Sequence, residues 1–202
     1  MLGDCGMKIL CLYNNNCALK LFDWLQQKGN ECILWDKRLD AVWCRSQNID
    51  LAVSYTYSFI LKEDVLEALK FNVVNLHTSL LPWNRGVDPN MWSIIEGTPR
   101  GVTLHYMDSR VDKGAVIAQE LSSAVDIQKD TLKTSYDQLD ELAVALFKKA
   151  FQYYDYWSEM KKQVLGAGTY HTDQQGIELR KFSGDFTITV EEFLERIKEN
   201  RK

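Results

Sequence analysis

The sequence predicts an α/β fold with a mostly parallel, doubly wound sheet. Short apolar segments alternate with helical patterns along the first part of the chain, which is the order expected of βαβ units. The composition, with 46% hydrophobic and 26% charged residues, is typical of a globular protein. A chain of 202 residues is long enough for one sizeable core, so we predict one main domain.

The first βαβ unit is predicted over residues 8–36. The apolar segment KILCLY at 8–13 predicts a strand, and apolar residues at helical spacing over 18–28 predict a helix. Gly29-Asn30 is a typical helix stop, and ECILWD at 31–36 predicts the second strand. A helix between two strands favours a crossover, so the two strands are expected to be parallel.

The alternation continues to residue 77. A short helix is predicted at 39–46, a strand at 50–55, a helix at 63–70 and a fourth strand at 72–77. Ligands of such sheets bind beyond the carboxyl ends of the strands. The residues at the end of the fourth strand are therefore the first candidates for a site.

The pattern changes after residue 88. Pro89 suits a first helical turn, which predicts a helix over 89–96. The strands predicted at 101–107 and 115–121 are separated only by DSRVDKG, too short for a crossover, so an antiparallel hairpin is expected. Apolar residues at helical spacing over 131–162 predict a long helix, interrupted at most once.

The last part of the chain differs in composition. LGAGTYHTDQQG at 165–176 is rich in Gly, Thr and Gln, and 182–202 combines a threonine-rich piece with a charged amphipathic helix, VEEFLERIKENRK. We predict a main domain at 1–165 and a short tail at 166–202. The tail could pack on the domain, make a dimer contact or cover the site.

Charge and cysteine usage narrow the class of protein. The net charge is −4 and no basic block is present, which argues against a nucleic-acid partner. No apolar segment approaches the roughly 20 residues needed to cross a bilayer, and MLGDCG lacks the features of a secretory signal, so a cytoplasmic protein is expected. The five cysteines show no CxxC spacing, so neither disulfides nor a zinc site is suggested, and most are expected to be reduced and buried; they are Cys5, Cys11, Cys17, Cys32 and Cys44.

Two groups of polar residues could form a site. Asn75 and His77 alternate on the fourth strand and therefore share one face. Asp108 and Asp112 lie in the predicted hairpin loop, before Gly114. Each group alone has a plain structural explanation, but an amide, an imidazole and a carboxylate at neighbouring strand ends suit acyl transfer without a metal.

Two stretches carry a family resemblance. VVNLHTSLLPWNRG, followed by GVTLHYMDSRVDKGAVIAQ, closely resembles the formyltransferases that use 10-formyltetrahydrofolate. The resemblance covers about residues 8–160 and implies a Rossmann-like formyltransferase core, with residues 1–165 as the catalytic domain. It implies Asn75, His77 and Asp112 as the catalytic residues, together with the SLLP turn at 79–82 and Gly114.

The resemblance also implies a mechanism. A formyl group passes from folate N10 to an amine through a tetrahedral intermediate. Asn75 and protonated His77 hold its oxyanion, while Asp112 keeps His77 charged and accepts the amine proton directly or through water. The implied folate contacts come from the loop after the third strand and from the hairpin loop; they are Tyr57, Ser58, Phe59, Ile60, Leu61, Asp108, Ser109 and Arg110. Some relatives carry an arginine or a similar polar group in the first of these loops, and this chain does not.

Three branches of this family differ in the amine. Methionyl-tRNA formyltransferases carry a further carboxyl-terminal domain, whereas this chain has a short tail of mixed charge. Glycinamide ribonucleotide formyltransferases place a glycine-rich turn after the first strand, but this chain reads LYNNNCALKL there. Formyltransferases of nucleotide-linked amino sugars fit better, because WNRG, DPN, TPRGVT and GTYHTDQQ resemble their motifs.

The sugar branch implies a set of substrate contacts, which are Trp83, Asn84, Arg85, Tyr170 and His171. By analogy the product would enter surface polysaccharides. The side chain of His105 could face either the site or the core, and a homodimer is left open. A folate or nucleotide-sugar binding module without turnover is the alternative of another class. A dinucleotide-dependent oxidoreductase is disfavoured, since no GxGxxG follows the first strand.

Overall fold

The computed structural model describes residues 6–163 and 166–200 of the chain. Their contacts divide the chain into two compact units. The first unit comprises residues 1–77, 104–118 and 147–164. The second unit comprises residues 78–103, 119–146 and 165–202.

Most predicted elements are present with slightly different ends. The strands are β1 Lys8–Leu12, β2 Glu31–Trp35, β3 Leu51–Tyr55, β4 Val73–His77, β5 Arg85–Gly86, β6 Gly101–Tyr106, β7 Val116–Leu121 and β8 Tyr170–His171. The helices are α1 Leu19–Gln27, α2 Ala41–Ser46, α3 Glu63–Ala68, α4 Pro89–Glu96, α5 Leu132–Phe151, α6 Trp157–Met160, α7 Asp173–Arg180 and α8 Val190–Asn200. Short 3₁₀ turns lie at Asn16–Ala18 and Tyr154–Tyr156.

Six strands form one sheet in the order β2-β1-β3-β4-β6-β7. The pairs β1–β2, β1–β3 and β3–β4 are parallel, as predicted. The amide of Met107 donates to the carbonyl of Val73 over 2.8 Å, which joins the end of β6 to the start of β4 and makes this pair antiparallel. Tyr106 pairs with Ala115 and Arg100 with Ser122, so the predicted antiparallel hairpin of β6 and β7 is confirmed.

The first unit contains a core beneath the early part of the sheet. All five residues of β3 are buried, which accounts for its continuous apolar sequence. The helices α2 and α3 supply the covering layer, and their buried side chains include Cys44, Val65 and Leu66. Asp40 caps α2 by accepting from the amide of Trp43 over 2.9 Å.

The long helix is shorter than predicted. It ends at Phe151 because the carbonyl of Ala150 accepts from the indole Nε1 of Trp157 and from the amide of Tyr153, both over 2.9 Å. The Ala150 carbonyl therefore does not accept the backbone hydrogen bond that would continue the α-helix. The helix thus breaks once within the predicted range, and the chain resumes as the 3₁₀ turn at Tyr154–Tyr156 and α6.

The second unit has a core of its own, to which the tail contributes. Its buried side chains come from α4, from α5 and from the tail helices; they are Met91, Leu132, Leu179, Val190, Phe193 and Ile197. The helix α7 was not predicted. Its start is a capping box in which Thr172 and Gln175 bind each other's backbone amides, a T-x-x-Q signal visible in the sequence. The division into a domain at 1–165 and a tail at 166–202 stays a prediction.

Four cysteines lie in the described residues, and each is a thiol outside any disulfide there. Cys11 and Cys44 are buried, whereas Cys17 and Cys32 are half-buried, so the expected burial holds for two of the four. Cys5 lies outside the described residues. Within residues 6–163 and 166–200, every helix is too short or too polar to cross a lipid bilayer.

Candidate active site

Two polar side chains of the candidate site come from β4. Asn75 and His77 share one face of this strand, as the period of two predicts. Ser54 pairs with Asn75 across the parallel β3–β4 ladder. The Ser54 hydroxyl donates to the amide Oδ1 of Asn75 over 2.9 Å, which turns the amide nitrogen away from β3.

The hairpin loop brings a carboxylate to the same place. Asp112 Oδ2 lies 3.7 Å from Nε2 of His77, and Oδ1 lies 3.5 Å from Nδ2 of Asn75. A Cβ atom at position 114 would overlap the carbonyl oxygen of Tyr106, so the loop can close here only with glycine. The three residues that the sequence predicts as catalytic therefore converge in the first unit.

A second histidine completes the cluster. His105 is 1% exposed, and its Nε2 lies 3.3 Å from Asn75 Nδ2 and 3.6 Å from Asp112 Oδ1. Its Nδ1 lies 2.8 Å from the carbonyl oxygen of Tyr106. Sequence reasoning left the direction of this side chain open. The antiparallel pairing of β6 with β4 turns the His105 side chain towards the site. No local sequence motif predicts that pairing.

The cluster can stabilise developing negative charge. It combines an amide donor, two imidazoles and a nearly buried carboxylate within hydrogen-bonding or ion-pair range. Electrostatic interactions strengthen where water is excluded. In the part of the chain that the structure describes, no group of three His, Cys, Asp or Glu side chains could hold a metal ion.

The predicted folate loop after β3 is partly buried. The Tyr57 hydroxyl donates to the carbonyl of Lys37 over 2.6 Å, and burial raises the pKa of Tyr57 to about 12. Ser58 donates to Oδ1 of Asn14 through its amide and its hydroxyl, each over 2.8 Å. Leu61 is buried in the core, whereas Ile60 is 65% exposed.

An arginine approaches this loop from another segment. The guanidinium of Arg38 lies 5.1 Å from the centre of the Phe59 ring, which packs edge-on to Tyr57 at 5.3 Å. The loop itself carries no arginine, as the sequence shows. Contact between a folate and the residues from Tyr57 to Leu61 stays a prediction.

The hairpin loop carries a local ion pair. The guanidinium of Arg110 lies 2.6 Å from Oδ2 of Asp108, and the Arg110 amide donates to Oδ1 over 2.8 Å. Partial burial acts to raise the pKa of Asp108, but the hydrogen bonds and charge of Arg110 outweigh it, so that the pKa lies below its ordinary value. Ser109 and Arg110 are exposed. Folate contacts of these three residues remain a prediction.

The predicted substrate residues Trp83, Asn84 and Arg85 lie in the second unit. Asn84 is fully buried, and its amide donates to Thr98 over 2.7 Å and accepts from the hydroxyl of Thr169 over 2.9 Å. Arg85 donates to the carbonyl of Ala167 over 2.8 Å. These contacts of Asn84 and Arg85 fix the segment around residue 169. The side chain of Trp83 is half-buried.

Tyr170 and His171 form β8, which pairs in parallel with β5. Tyr170 is 48% exposed and could stack on a base. His171 is buried: its ring stacks on Trp92 at 3.9 Å, and its Nε2 lies 3.2 Å from Oε1 of Glu96. Neither two-residue strand was predicted, and the ligand contacts of all five substrate residues stay predictions.

An α/β sheet that brings together an amide, two imidazoles and a carboxylate has the groups expected of an acyl-transferring enzyme. The chain belongs to the formyl transferase family, whose profile matches residues 36–151. The Rossmann-like formyltransferase fold inferred from the sequence is thereby confirmed.

Three relatives illustrate the similarity. The crystal structure of the formyltransferase PseJ from Anoxybacillus kamchatkensis, in complex with UDP-4,6-dideoxy-4-formamido-L-AltNAc and tetrahydrofolate, is 31% identical at a TM-score of 0.79 and covers 94% of this chain and 98% of PseJ. Methionyl-tRNA formyltransferase from Fusobacterium nucleatum is 37% identical over 54% of this chain and 34% of its own length. The bifunctional polymyxin resistance protein ArnA from Wigglesworthia glossinidia brevipalpis is 39% identical over 50% of this chain and 15% of its own length. The chain thus spans about a third or less of these two curated relatives.

Proposed function

We propose that this protein transfers a formyl group from 10-formyltetrahydrofolate to the amine of a nucleotide-linked amino-deoxysugar. The similarity to PseJ carries the proposal, because it extends over nearly the whole of both chains. PseJ was crystallised with a formamido sugar nucleotide and tetrahydrofolate, which are the two products that such a reaction would release.

The geometry of the first unit supports a direct transfer. The amine nitrogen attacks the formyl carbon, and the carbonyl oxygen becomes an oxyanion. Asn75 Nδ2 and a protonated His77 donate hydrogen bonds to this oxyanion. Asp112 lies close enough to His77 to stabilise its positive charge by Coulomb attraction.

Collapse of the tetrahedral intermediate releases the two products. The bond between the formyl carbon and folate N10 breaks, and N10 takes up the proton that the amine gives up, relayed by Asp112 or a water molecule, to give tetrahydrofolate. The attacking amine loses one proton, which Asp112 accepts directly or through a water molecule. The products are the formamido sugar nucleotide and tetrahydrofolate, and no nucleophile of the protein forms a covalent bond.

The choice of amine can be tested with a panel. The purified protein is incubated with 10-formyltetrahydrofolate and dTDP-, UDP- or GDP-linked 3-amino and 4-amino deoxysugars, with glycinamide ribonucleotide and methionyl-tRNA as competing acceptors. Mass spectrometry detects the gain of one formyl group. Formylation of a sugar nucleotide is the expected result. Formylation of glycinamide ribonucleotide or methionyl-tRNA alone would overturn the substrate class but keep the reaction.

The same panel decides the alternative of another class. A protein that binds tetrahydrofolate or a nucleotide sugar but formylates no acceptor would be a binding module. The presence of Asn75, His77 and Asp112 in one cluster argues against this, since binding alone does not require an oxyanion site.

Several further expectations belong to this proposal. Tyr57 to Leu61 and Asp108 to Arg110 are the predicted folate contacts, and Trp83 to Arg85 with Tyr170 and His171 are the predicted sugar-nucleotide contacts. A role in surface polysaccharide synthesis, a cytoplasmic location and the lack of a nucleic-acid partner are predictions as well. Analytical ultracentrifugation of the purified chain would decide whether a homodimer forms.

A further inference from the structure

His105 occupies a place in the cluster that the proposed reaction does not use. The side chain is buried, and its two ring nitrogens face different partners. Nδ1 lies 2.8 Å from the carbonyl oxygen of Tyr106. A carbonyl oxygen only accepts hydrogen bonds, so Nδ1 must carry the ring proton.

The other ring nitrogen then has a defined role. In a neutral ring protonated at Nδ1, Nε2 holds a lone pair and accepts a hydrogen bond. The amide Nδ2 of Asn75 lies 3.3 Å away and can donate to it. Because the ring is almost inaccessible to water, no solvent molecule readily replaces this acceptor.

The contacts of Asn75 show what this acceptor does. On one side the Ser54 hydroxyl donates to Oδ1. On the other side one Nδ2 hydrogen can bond to His105 Nε2, and the second, which faces Asp112 Oδ1 at 3.5 Å, stays available for the oxyanion. A flipped amide would place its oxygen against the Asp112 carboxylate and the Nε2 lone pair of His105, so these two acceptors favour a single orientation.

We propose that His105, as the neutral Nδ1–H tautomer, is a positioning residue that works with Ser54 to hold the Asn75 amide ready for the oxyanion. The inference rests on the proposed formyl transfer. When His105 is neutral, the Asp112 carboxylate stabilises the charge of His77 alone. A charged His105, whose Nε2 lies 3.6 Å from Asp112 Oδ1, would compete with His77 for this carboxylate. Asn75, Asp112, His77 and the Tyr106 carbonyl face the His105 ring, and the Asp108 carboxylate interacts with it electrostatically.

Nitrogen NMR tests the tautomer without any substrate. The chain has three histidines, so the His105 signals can be assigned by their loss in His105→Gln. We expect a protonated Nδ1 and an unprotonated Nε2 at pH 7. A proton on Nε2, in a neutral or a charged ring, would overturn the inference. This readout is independent of turnover, so it is distinct from failure of the proposed reaction in the acceptor panel.

Kinetics test the positioning role. His105→Leu removes the acceptor, and we expect kcat to fall about tenfold to a hundredfold while KM for both substrates stays near wild type, because misplacing one oxyanion donor acts on the transition state. His105→Gln keeps an acceptor near Nε2 and should recover most of the loss. Leu104→Val, whose side chain is buried on the opposite face of the same strand, is the matched packing control. A kcat of His105→Leu equal to that of this control, or a change confined to KM, would refute the role.

Discussion

Replacement of Asp112 by asparagine tests the charge at the centre of the site. Asp112→Asn keeps the shape of the side chain but removes a negative charge that lies 3.7 Å from His77. At an effective dielectric constant of about 20, two unit charges 4 Å apart attract by about 4 kcal/mol. The variant also loses the proposed proton acceptor, an effect of about 10² to 10⁴ in rate.

About 4 kcal/mol corresponds to roughly a thousandfold in rate, at about 1.4 kcal/mol for each factor of ten. The loss of the proton acceptor is of similar size and comes in addition. We therefore expect kcat for formyl transfer to fall at least about a thousandfold in Asp112→Asn. The thermal midpoint should change little, because the amide still fits the loop and can form hydrogen bonds.

The assay follows the formamido product by mass spectrometry at saturating concentrations of both substrates. Asp126→Asn serves as the control, since it makes the same chemical change at an exposed site and should keep wild-type turnover. A kcat of Asp112→Asn within about tenfold of wild type, with the control unaffected, would refute both proposed roles of Asp112.

Three further predictions concern the cluster, the loop and the folate segment. Asn75→Ala should lower kcat by about 10² to 10³, because one oxyanion donor is lost, and turnover near wild type would exclude this donor. Gly114→Ala should lower the free energy of unfolding by more than about 3 kcal/mol, because a Cβ atom overlaps the Tyr106 carbonyl. Gly29→Ala, where φ is +88° and no atom lies within 4 Å, should cost only about 1 kcal/mol; equal urea unfolding free energies for the two variants would contradict the steric argument. Because burial raises the pKa of Tyr57 to about 12 in the folded protein, the unfolded chain loses the phenol proton at a lower pH, above about 10. The free energy of unfolding should therefore fall between pH 10 and 12. Urea unfolding of Tyr57→Phe should show a shallower fall, and an equal slope in both proteins would disprove the assignment.

The prediction of local elements succeeded where one signal dominated. The apolar segments of β1 to β4 and the stop at Gly29 placed the first strands and helices almost correctly. The helix α7 was missed because its capping box at Thr172 was outweighed by the Gly and Thr content of the segment. The end of α5 was not predicted, because it depends on a side-chain hydrogen bond from Trp157 to the Ala150 carbonyl, which helical periodicity does not reveal.

The prediction of the substrate residues was less complete. The sequence indicates that Asn84, Arg85 and His171 belong to a distinctive motif, but it does not show what their side chains contact. The structure places Asn84 between Thr98 and Thr169. Burial and hydrogen bonding of this kind involve residues far apart in the chain, for which periodicity carries no information.

What the sequence determined by itself is the common face of Asn75 and His77, since the alternation of side chains along a strand is a property of the backbone. It also determined that Asp112 lies in a loop closed by Gly114. Only the tertiary structure decided that this loop meets β4 and that His105 lies beside Asn75. The physical reason is that the neighbour and direction of a strand are set by hydrogen bonds between distant segments, here the antiparallel pairing of β6 with β4.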